Sequence, residues 1–441
     1  MRIVFVSSPL RDYALDKKKE YDTVPPIGLG YMATILQNAG HTIKLIDGEA
    51  LGLSPAEIVS SVKSFKPDYA CFTILSPTYE LIKGIIAELD DIKIIVGGIH
   101  ATLFPEKVLR ETNAYALVRG EGEDTLKELI AHGRDVDGVS YLSDSGIVHN
   151  PDRHLIMELD SLPFIDRSLF VNEKYSAVIL GSRGCPYNCV FCSASKPTGS
   201  VVRERSIKNI VDEIEHIVSS GIHDFHFIDN NFAHTEERVL TFIHELNRRK
   251  LVVKWRILSR ADVIARFNEN TIDLMAKNGC YKISFGLESG SSRVLKLMNK
   301  GITLEDSRKA IAVCRKYGIR TKAYFMFGMP TETLQEIEET LQFAEEIKPD
   351  IVCFSVIRAF PGTPLYNELN AKGYKELDRY SHIHDTIPET EKELYRFIKY
   401  QLSNKASLSD IELPELVRLV QNAYKRFYGG QKNENLHSVQ V

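Results

Sequence analysis

Apolar residues in the first part of the chain form short continuous runs that alternate with helically spaced stripes. Such runs predict strands buried on both faces, and they occur at residues 2–8, 41–47, 69–75, 92–98 and 115–120. Between the first two runs, residues 27–40 have the spacing of a helix and end on Gly40, as at a helix C-cap. This alternation favours a doubly wound, Rossmann-like parallel sheet, in which ligands bind at the carboxyl ends of the strands.

A second alternation of the same kind begins after residue 175. Its apolar runs predict six strands, at residues 176–184, 224–230, 254–260, 281–289, 320–328 and 351–360. Six strand–helix units are too few for a complete barrel, so we expect a partial (β/α)6 barrel of the TIM type, with its active site at the carboxyl ends of the strands. The expected α/β organisation therefore comprises a first domain, a hairpin with a linker, the partial barrel and a small helical C-terminal region, at residues 1–137, 138–174, 175–368 and 369–441.

Composition narrows the class of protein. The chain of 441 residues is 44% hydrophobic and 26% charged, which is typical of a soluble globular protein. A net charge of −4 with both signs spread along the chain gives no electrostatic basis for binding nucleic acid. The longest apolar runs are shorter than the roughly 18 residues of a membrane span, and the N-terminus turns polar too soon for a signal peptide. With seven cysteines, an odd number, we expect a cytoplasmic protein without a disulfide framework.

Three of the cysteines stand together in the stretch "GSRGCPYNCVFCSASK", residues 181–196. Cys185, Cys189 and Cys192 have the spacing C-x-x-x-C-x-x-C, which lets one loop surround a single centre. Structural zinc sites usually close with four ligands, often from two separated pairs, and no second pair exists here. Four thiolates complete a 4Fe–4S cluster, whereas three leave one iron open for chemistry. The alternatives are three reduced structural thiols, or a zinc site that takes a histidine such as His226.

The run "CPYNCVFC" resembles the radical S-adenosylmethionine superfamily. The resemblance extends over about residues 175–366, in the order "RERSIKNIVDEI", "FIDNNFAH", "WRILSRADVI", "GCYKISFGLESGSSRVLKLMNKGIT", "FMFGMPTET" and "FPGTPLY". It implies that Cys185, Cys189 and Cys192 hold a 4Fe–4S cluster whose open iron is chelated by the amino and carboxylate groups of S-adenosylmethionine. In that family an electron from the cluster cleaves S-adenosylmethionine to methionine and a 5′-deoxyadenosyl radical, which abstracts hydrogen from the substrate.

The resemblance also implies contacts for S-adenosylmethionine. Phe191 is expected near the adenine. Asp229, Asn230 and Asn231 end the second strand, where the family binds the methionine amino group, although this chain has no GGE motif there. Each of these residues is carried over from its place in the motif.

Two charged residues end neighbouring strands of the expected barrel. Glu288 is placed to accept hydrogen bonds from the ribose hydroxyls or the amino group, and Arg260 to pair with the methionine carboxylate. The alternative is an ion pair between Glu288 and Arg260 at the mouth of the barrel. Cys280, Cys314 and Cys353 have apolar surroundings in the sequence and are expected to be small buried side chains.

The first domain resembles the cobalamin-binding domain that precedes the barrel in a large group of these enzymes. The stretches that carry this resemblance lie within residues 24–130: "PPIGLGYMATILQNAGHTIKLID", "VGGIHATLFPE" and "VRGEGEDTLKEL". Cobalamin domains that donate a histidine to cobalt use D-x-H-x-x-G after the second strand. Here the run is "DGEALG", with Asp47, Glu49 and Gly52, so glutamate stands where the histidine would be. Cobalamin is therefore expected without a histidine on its lower face.

Glycines at the strand ends are the other candidate cobalamin contacts. Gly97, Gly98, Gly120 and Gly122 would let a nucleotide tail approach the backbone closely. The alternatives are ordinary tight turns, or a domain that no longer binds a ligand. His100 either faces the corrin or is an exposed loop residue.

Three functions remain open. The first is a cobalamin-dependent methyltransferase, in which methylcobalamin delivers a methyl group to a radical on an unactivated carbon of the substrate. The second is a radical cyclase, oxidoreductase or rearrangement enzyme without methyl transfer. The third is a non-catalytic iron–sulfur sensing or binding protein. The expected partners of the enzyme are a substrate that the sequence does not identify and an electron donor such as flavodoxin or ferredoxin, with no membrane and no nucleic acid.

Overall fold

The computed structural model describes residues 1–9, 25–170, 177–373, 409 and 411–428. The chain divides into two compact units, one formed by Met1–Tyr175 with Lys196–Gly199, the other by Ser176–Ser195 with Ser200–Val441. Most of the region predicted as the helical C-terminus, residues 374–408, 410 and 429–441, lies outside the described residues.

The first unit contains a seven-stranded sheet in the order β2-β1-β3-β4-β5-β6-β7. Strands β1 to β5 are parallel, whereas the hairpin β6–β7 is antiparallel and extends the same sheet beyond β5. The strands are β1 Arg2–Ser7, β2 Thr42–Asp47, β3 Tyr69–Thr73, β4 Lys93–Gly97, β5 Ala116–Val118, β6 Val139–Ser143 and β7 Gly146–His149. The helices are α1 Ile27–Asn38, α2 Gly48–Leu51, α3 Pro55–Phe65, α4 Tyr79–Ile86, α5 Ile99–Leu103, α6 Pro105–Thr112 and α7 Glu123–His132.

The continuous apolar strands of this unit are explained by helices on both faces of the sheet. In β1, Val4 and Val6 belong to the core under α3, α4 and α6, whereas Ile3 and Phe5 belong to the core under α1 and α7. Successive residues therefore enter opposite cores, so every position of the strand must be apolar. The predicted five parallel strands and their doubly wound arrangement are confirmed.

The second unit contains six parallel strands in the order β15-β14-β13-β12-β11-β8, together with a short antiparallel pair, β9 and β10. The strands are β8 Ala177–Ile179, β9 Ser182–Arg183, β10 Arg203–Glu204, β11 Asp224–Phe227, β12 Lys254–Ser259, β13 Cys280–Glu288, β14 Arg320–Phe327 and β15 Ile351–Val356. The short helix α8 Ser195–Thr198 falls mostly in the first unit, which includes Lys196–Gly199. The helices of the second unit are α9 Ile207–Val218, α10 Glu236–Arg248, α11 Ala261–Ile264, α12 Glu269–Lys277, α13 Ser292–Leu297, α14 Leu304–Lys316, α15 Leu334–Ile347, α16 Pro364–Ala371 and α17 Leu413–Tyr428. Six parallel strands that follow one another in chain order have the topology predicted for the partial barrel.

Helix α17 lies along the edge strand β15. The Tyr424 hydroxyl accepts a hydrogen bond from the Phe354 backbone N–H and donates one to the Phe354 carbonyl, each at 3.1 Å. One helical turn later, the Tyr428 hydroxyl makes the same two bonds with Val352, at 2.8 and 2.9 Å. The outward-facing peptide groups of this edge strand are thus bonded by side chains of a helix.

Candidate active site

The loop that carries the three clustered cysteines follows β9 directly. Gly184, with φ of +93°, turns the chain before Cys185. The thiols of Cys185, Cys189 and Cys192 are half-buried, and Cys192 is within electrostatic range of both others. The Cys192 backbone N–H donates to the Cys189 carbonyl at 3.2 Å, which folds the loop back on itself. Three soft donors on one folded loop fit an iron–sulfur cluster.

Charges around the loop act on two of the thiols. Burial raises the pKa of Cys189, and Lys300 and then Arg260 oppose that rise because their positive charges favour the thiolate. Burial also raises the pKa of Cys192, against a backbone hydrogen bond from Ala194. The cysteine loop therefore lies in a partly enclosed site, and the cations beside it reduce the cost of burying thiolates there.

Asp229 is bonded to the segment that leads into the cysteine loop. Its side chain is 1% exposed, and it accepts hydrogen bonds from the Gly181 N–H at 2.9 Å and the Ser182 hydroxyl at 2.5 Å. Burial raises the pKa of Asp229, and the bonds from Ser182 and Gly181 oppose the rise. Its neighbour Asn230 donates to the Gly184 carbonyl at 3.3 Å. The contact of Asp229 and Asn230 with S-adenosylmethionine stays a prediction.

Asn231 differs from Asp229 and Asn230 in having a buried side-chain donor without a partner among the described residues. Its Oδ1 accepts a hydrogen bond from the Ser259 hydroxyl at 3.0 Å, at the ends of β11 and β12. Its Nδ2 is buried and has no partner among the described residues. Because an unpaired buried donor is costly, this atom is suited to an acceptor on a bound molecule.

Glu288 ends β13 in a strained conformation. Its φ is +68°, and the pairing of β13 with β14 shifts register between Gly286 and Glu288. Its Oε1 pairs with Lys300 Nζ at 2.7 Å, and both side chains are nearly buried. Burial disfavours the ammonium of Lys300, but attraction to Glu288 and Cys189 outweighs it and raises the pKa of Lys300. A left-handed glutamate at a strand bulge is typical of a functional site.

Arg260 does not pair with Glu288, so the expected alternative of an ion pair between these two residues is wrong. Arg260 Nε pairs with Asp262 at 2.9 Å, and its Nη2 donates to the Lys300 carbonyl at 2.8 Å. Its guanidinium carbon lies 3.6 Å from the centroid of the Tyr187 ring, inside the cysteine loop. Lys300 thus takes the place next to Glu288 that was considered for Arg260.

Two residues of this site were missed in the sequence. Lys300 lies in "LMNKGIT" and Tyr187 in "CPYN", both within stretches that carry the resemblance. Their places within these stretches did not indicate a role, because the residues they contact are distant in the chain. The charge of Lys300 just after α13 was the available signal.

Phe191 packs with its neighbour Val190 against a small apolar cluster. The buried members of that cluster are Val294, Met298, Met329, Ile357, Ala359, Leu365 and Leu369. Backbone bonds of 3.0 Å join Val190 to Met298 and to Leu365, so the cysteine loop is anchored on the segments that follow β13 and β15. The place of Phe191 near an adenine stays a prediction.

Among the described residues, no three His, Cys, Asp or Glu side chains are grouped to hold a single metal ion, and this includes the three loop cysteines, whose role as cluster ligands stays a prediction. Cys71, Cys280, Cys314 and Cys353 are buried, as predicted for the last three. His226 lies in β11, where burial, followed by the charges of Arg256, Lys282 and Lys322, lowers its pKa to about 3. His226, the histidine considered for a zinc site, therefore lies near three positively charged side chains.

In the first unit, several candidate cobalamin residues have local structural roles. Asp47 caps α2 by accepting from the Ala50 N–H at 3.1 Å, and Gly52 ends that helix with φ of +62°. Gly98 has φ of +93°, and a Cβ there would lie 2.8 Å from both the Ile74 carbonyl and Thr73 Oγ1. Backbone geometry alone thus requires glycine at two of these positions.

The remaining candidates lie at the carboxyl ends of the parallel strands. The order β2-β1-β3 puts the topological switch point, where such sheets bind ligands, between β1 and β3. Gly97 ends β4, and Gly120 follows β5 with φ of +69° and open space where a Cβ would be. Glu49 is half-buried in α2, in the position of the absent histidine. A backbone edge with room beside it fits a bound nucleotide-like group.

His100 is not an exposed loop residue. It is 1% exposed within α5, its Nδ1 lies 3.0 Å from the Ser76 hydroxyl, and its ring centroid is 4.4 Å from that of Tyr79. The expectation of an exposed loop residue is therefore wrong, and a place of His100 facing the corrin stays a prediction.

Comparisons with known proteins match both units. The model of the Radical SAM superfamily matches residues 179–344, and that of the B12 binding domain matches residues 19–130. An uncharacterized methyltransferase of Pyrococcus horikoshii is 31% identical over 440 residues, covering 93% of this chain and 95% of the relative. An anaerobic magnesium-protoporphyrin IX monomethyl ester cyclase of Rubrivivax gelatinosus is 29% identical, covering 92% and 74%.

A solved structure agrees on the fold. The radical S-adenosylmethionine methyltransferase TsrM of Kitasatospora setae, with cobalamin and a [4Fe-4S] cluster bound, gives a TM-score of 0.68 at 20% identity, covering 84% of this chain and 75% of that one. No helix among the described residues is long and apolar enough to cross a membrane. The chain belongs to the radical S-adenosylmethionine superfamily, in the group whose barrel is preceded by a B12-binding domain, and its cofactors are a 4Fe–4S cluster, S-adenosylmethionine and cobalamin.

Proposed function

We propose that this enzyme transfers a methyl group to an unactivated carbon of its substrate. The observation that carries the proposal is the presence of both cofactor modules in a chain that aligns, over nearly its full length, with a relative named as a methyltransferase. When bound, the cluster with S-adenosylmethionine supplies a hydrogen-abstracting radical, and cobalamin supplies a methyl carrier. Methyl transfer by this route needs both the radical and the methyl carrier and therefore both modules, whereas radical chemistry alone needs only the barrel.

The residues of the barrel have distinct tasks in this proposal. Cys185, Cys189 and Cys192 hold the cluster. The Asn231 amide offers a buried donor to S-adenosylmethionine, and the Glu288 carboxylate offers an acceptor that Lys300 orients. Arg260 is held by Asp262, and it stabilises the site through the Lys300 carbonyl and the ring of Tyr187.

The first unit binds cobalamin without a histidine ligand in this proposal. Glu49 replaces the histidine, and a carboxylate is a much weaker ligand for cobalt than imidazole. Gly97 and Gly120 keep the carboxyl edge of the sheet free of side chains. The reaction also needs a reductant, for which a flavodoxin or ferredoxin is suited, and a reducing cytoplasm suits the cluster.

The test is anaerobic turnover by the full chain with reconstituted cluster, a reductant, S-adenosylmethionine and a candidate substrate, with and without cobalamin. Formation of S-adenosylhomocysteine only with cobalamin supports methyl transfer. Cys189→Ala should abolish all nucleoside products, and Cys353→Ala, which removes a buried thiol of the same unit, should retain them. Abundant 5′-deoxyadenosine without S-adenosylhomocysteine would overturn the methyl-transfer step.

A second candidate is radical cyclisation or oxidation, which the 29% identity to the magnesium-protoporphyrin cyclase favours. It predicts 5′-deoxyadenosine and a substrate that loses hydrogen without gaining the mass of a methyl group. If neither nucleoside forms on a fully loaded protein, the non-catalytic iron–sulfur function becomes the better explanation.

A further inference from the structure

The segment Met298–Lys300, which follows α13, is bound to the cysteine loop at several points. The Met298 carbonyl accepts from the Val190 N–H at 3.0 Å. Asn299 Nδ2 donates to the Asn188 carbonyl at 2.9 Å, and Asn299 itself has φ of +49°. These contacts fix where the next residue, Lys300, places its side chain.

Lys300 directs a positive charge toward the cysteines. Its Nζ lies 5.9 Å from the centroid of the Phe191 ring, between the second and third cysteines of the loop, and only 11% of its side chain is exposed. Charges that are this well enclosed are screened little by water and salt. Its backbone is fixed as well, because Arg260 donates to the Lys300 carbonyl.

Lys300 and Glu288 form an enclosed ion pair beside the cysteine loop. Their charged atoms lie 2.7 Å apart and both side chains are nearly buried, so removal of either charge leaves the other uncompensated. The positive charge of Arg260 is paired with Asp262, 2.9 Å away. Lys300 is therefore an enclosed cation beside the Phe191 ring of the cysteine loop, and Glu288 is the carboxylate that opposes its charge.

We infer that Lys300 sets the reduction potential of the cluster and that Glu288 moderates its effect. A cluster bound by three thiolates becomes more negative by one charge when it accepts an electron, so a nearby cation stabilises the reduced form and raises the potential. Lys300 is thus a positioning and tuning residue, since it acts through the electrostatics of the cluster and not on the substrate. The inference rests on the cluster that comes with the superfamily, and it does not depend on methyl transfer.

The experiment is a redox titration of the anaerobically reconstituted full chain, followed by the electron paramagnetic resonance signal of the reduced cluster. No substrate is added. Lys300→Met should make the potential more negative, with a change of about tenfold in the reduction equilibrium, or about 59 mV for one electron. Lys300→Arg should stay near wild type. Lys296→Met, which removes an exposed lysine of α13, is the matched control and should leave the potential unchanged.

Glu288→Gln supplies a change of opposite sign. It removes the counter-charge and keeps the ammonium, so the potential should become less negative. If Lys300→Met fails to bind the cluster, the potential of Glu288→Gln still tests the inference. Equal potentials for wild type, Lys300→Met and Glu288→Gln, at equal iron content, would overturn the inference. Because the signal requires only the cluster, a failed methyl-transfer assay leaves this result intact.

Discussion

The carboxylate of Asp229 accepts a hydrogen bond of 2.5 Å from the hydroxyl of Ser182, across 47 positions of sequence. A second bond, from the Gly181 N–H, makes Asp229 the fixed point from which the cysteine loop departs. The loop is held on its other side by Met298, Asn299 and Leu365. The loop is therefore anchored ahead of Cys185, and again at Asn188 and Val190, between its cysteines.

Asp229→Asn should weaken this anchor. An amide replaces one acceptor oxygen with a donor and sets it against an N–H or hydroxyl, so we expect a loss of about 1–3 kcal/mol in the free energy of unfolding and a lower iron content. Urea unfolding and iron per chain measure the two effects. Ser182→Ala keeps the Gly181 bond and should have the smaller effect; equal stability of all three proteins would contradict the anchoring role.

Gly286→Ala should disturb the pair of Glu288 and Lys300. A Cβ at residue 286 would lie 2.4 Å from Glu288 Oε1 and 3.0 Å from Lys300 Nζ, so the carboxylate must move. We expect about tenfold weaker binding of S-adenosylmethionine, which corresponds to about 1.4 kcal/mol, measured by equilibrium binding to the reconstituted protein. Ser284→Ala, two residues earlier on β13, is the control. Unchanged affinity in Gly286→Ala would argue that Glu288 does not contact the ligand.

Glu332 should make stability depend on pH. Burial raises its pKa to about 7, against hydrogen bonds from the Gly328 and Met329 N–H groups. The folded state therefore holds a proton that the unfolded state, with an ordinary glutamate pKa, has released between about pH 4.5 and 7. Stability from this group is full below that window and is lost as pH rises through it, by up to about 3 kcal/mol.

The check on Glu332 is urea unfolding of wild type and Glu332→Gln from pH 5 to 8. The variant should remove the part of the pH dependence due to this carboxyl, so that the difference in unfolding free energy between the two proteins changes across the window. A difference that is constant with pH would show that Glu332 titrates normally. Glu237→Gln, an exposed change on α10, provides the comparison.

His226→Gln should leave iron binding intact. With a pKa of about 3, set by burial and three nearby cations, the imidazole is neutral at working pH, and it lies in β11 among those cations. Iron content should equal that of wild type, in contrast to Cys189→Ala. Loss of metal in the histidine variant would revive the zinc alternative.

The elements were predictable because their pattern is local. Ile3 and Val4 belong to opposite cores, and a strand whose successive side chains are buried on both faces must be apolar throughout. The cysteine spacing was equally local. The environment of Glu288 could not be predicted in this way, because its partner Lys300 follows α13 and because Arg260 pairs with Asp262 and not with Glu288. The burial of His100 was missed for a related reason: sequence places a polar residue after a strand end but does not say whether its side chain turns outward or into the protein.

Tyr424 and Tyr428 do for β15 what a seventh strand would do. Spaced one helical turn apart, they repeat the donor and acceptor pattern that the alternate residues Val352 and Phe354 present. An incomplete barrel normally exposes such an edge as a template for another chain. Here two phenols imitate a neighbouring backbone, so the sheet stops at this edge without closing into a ring and without offering a place for a foreign strand to join.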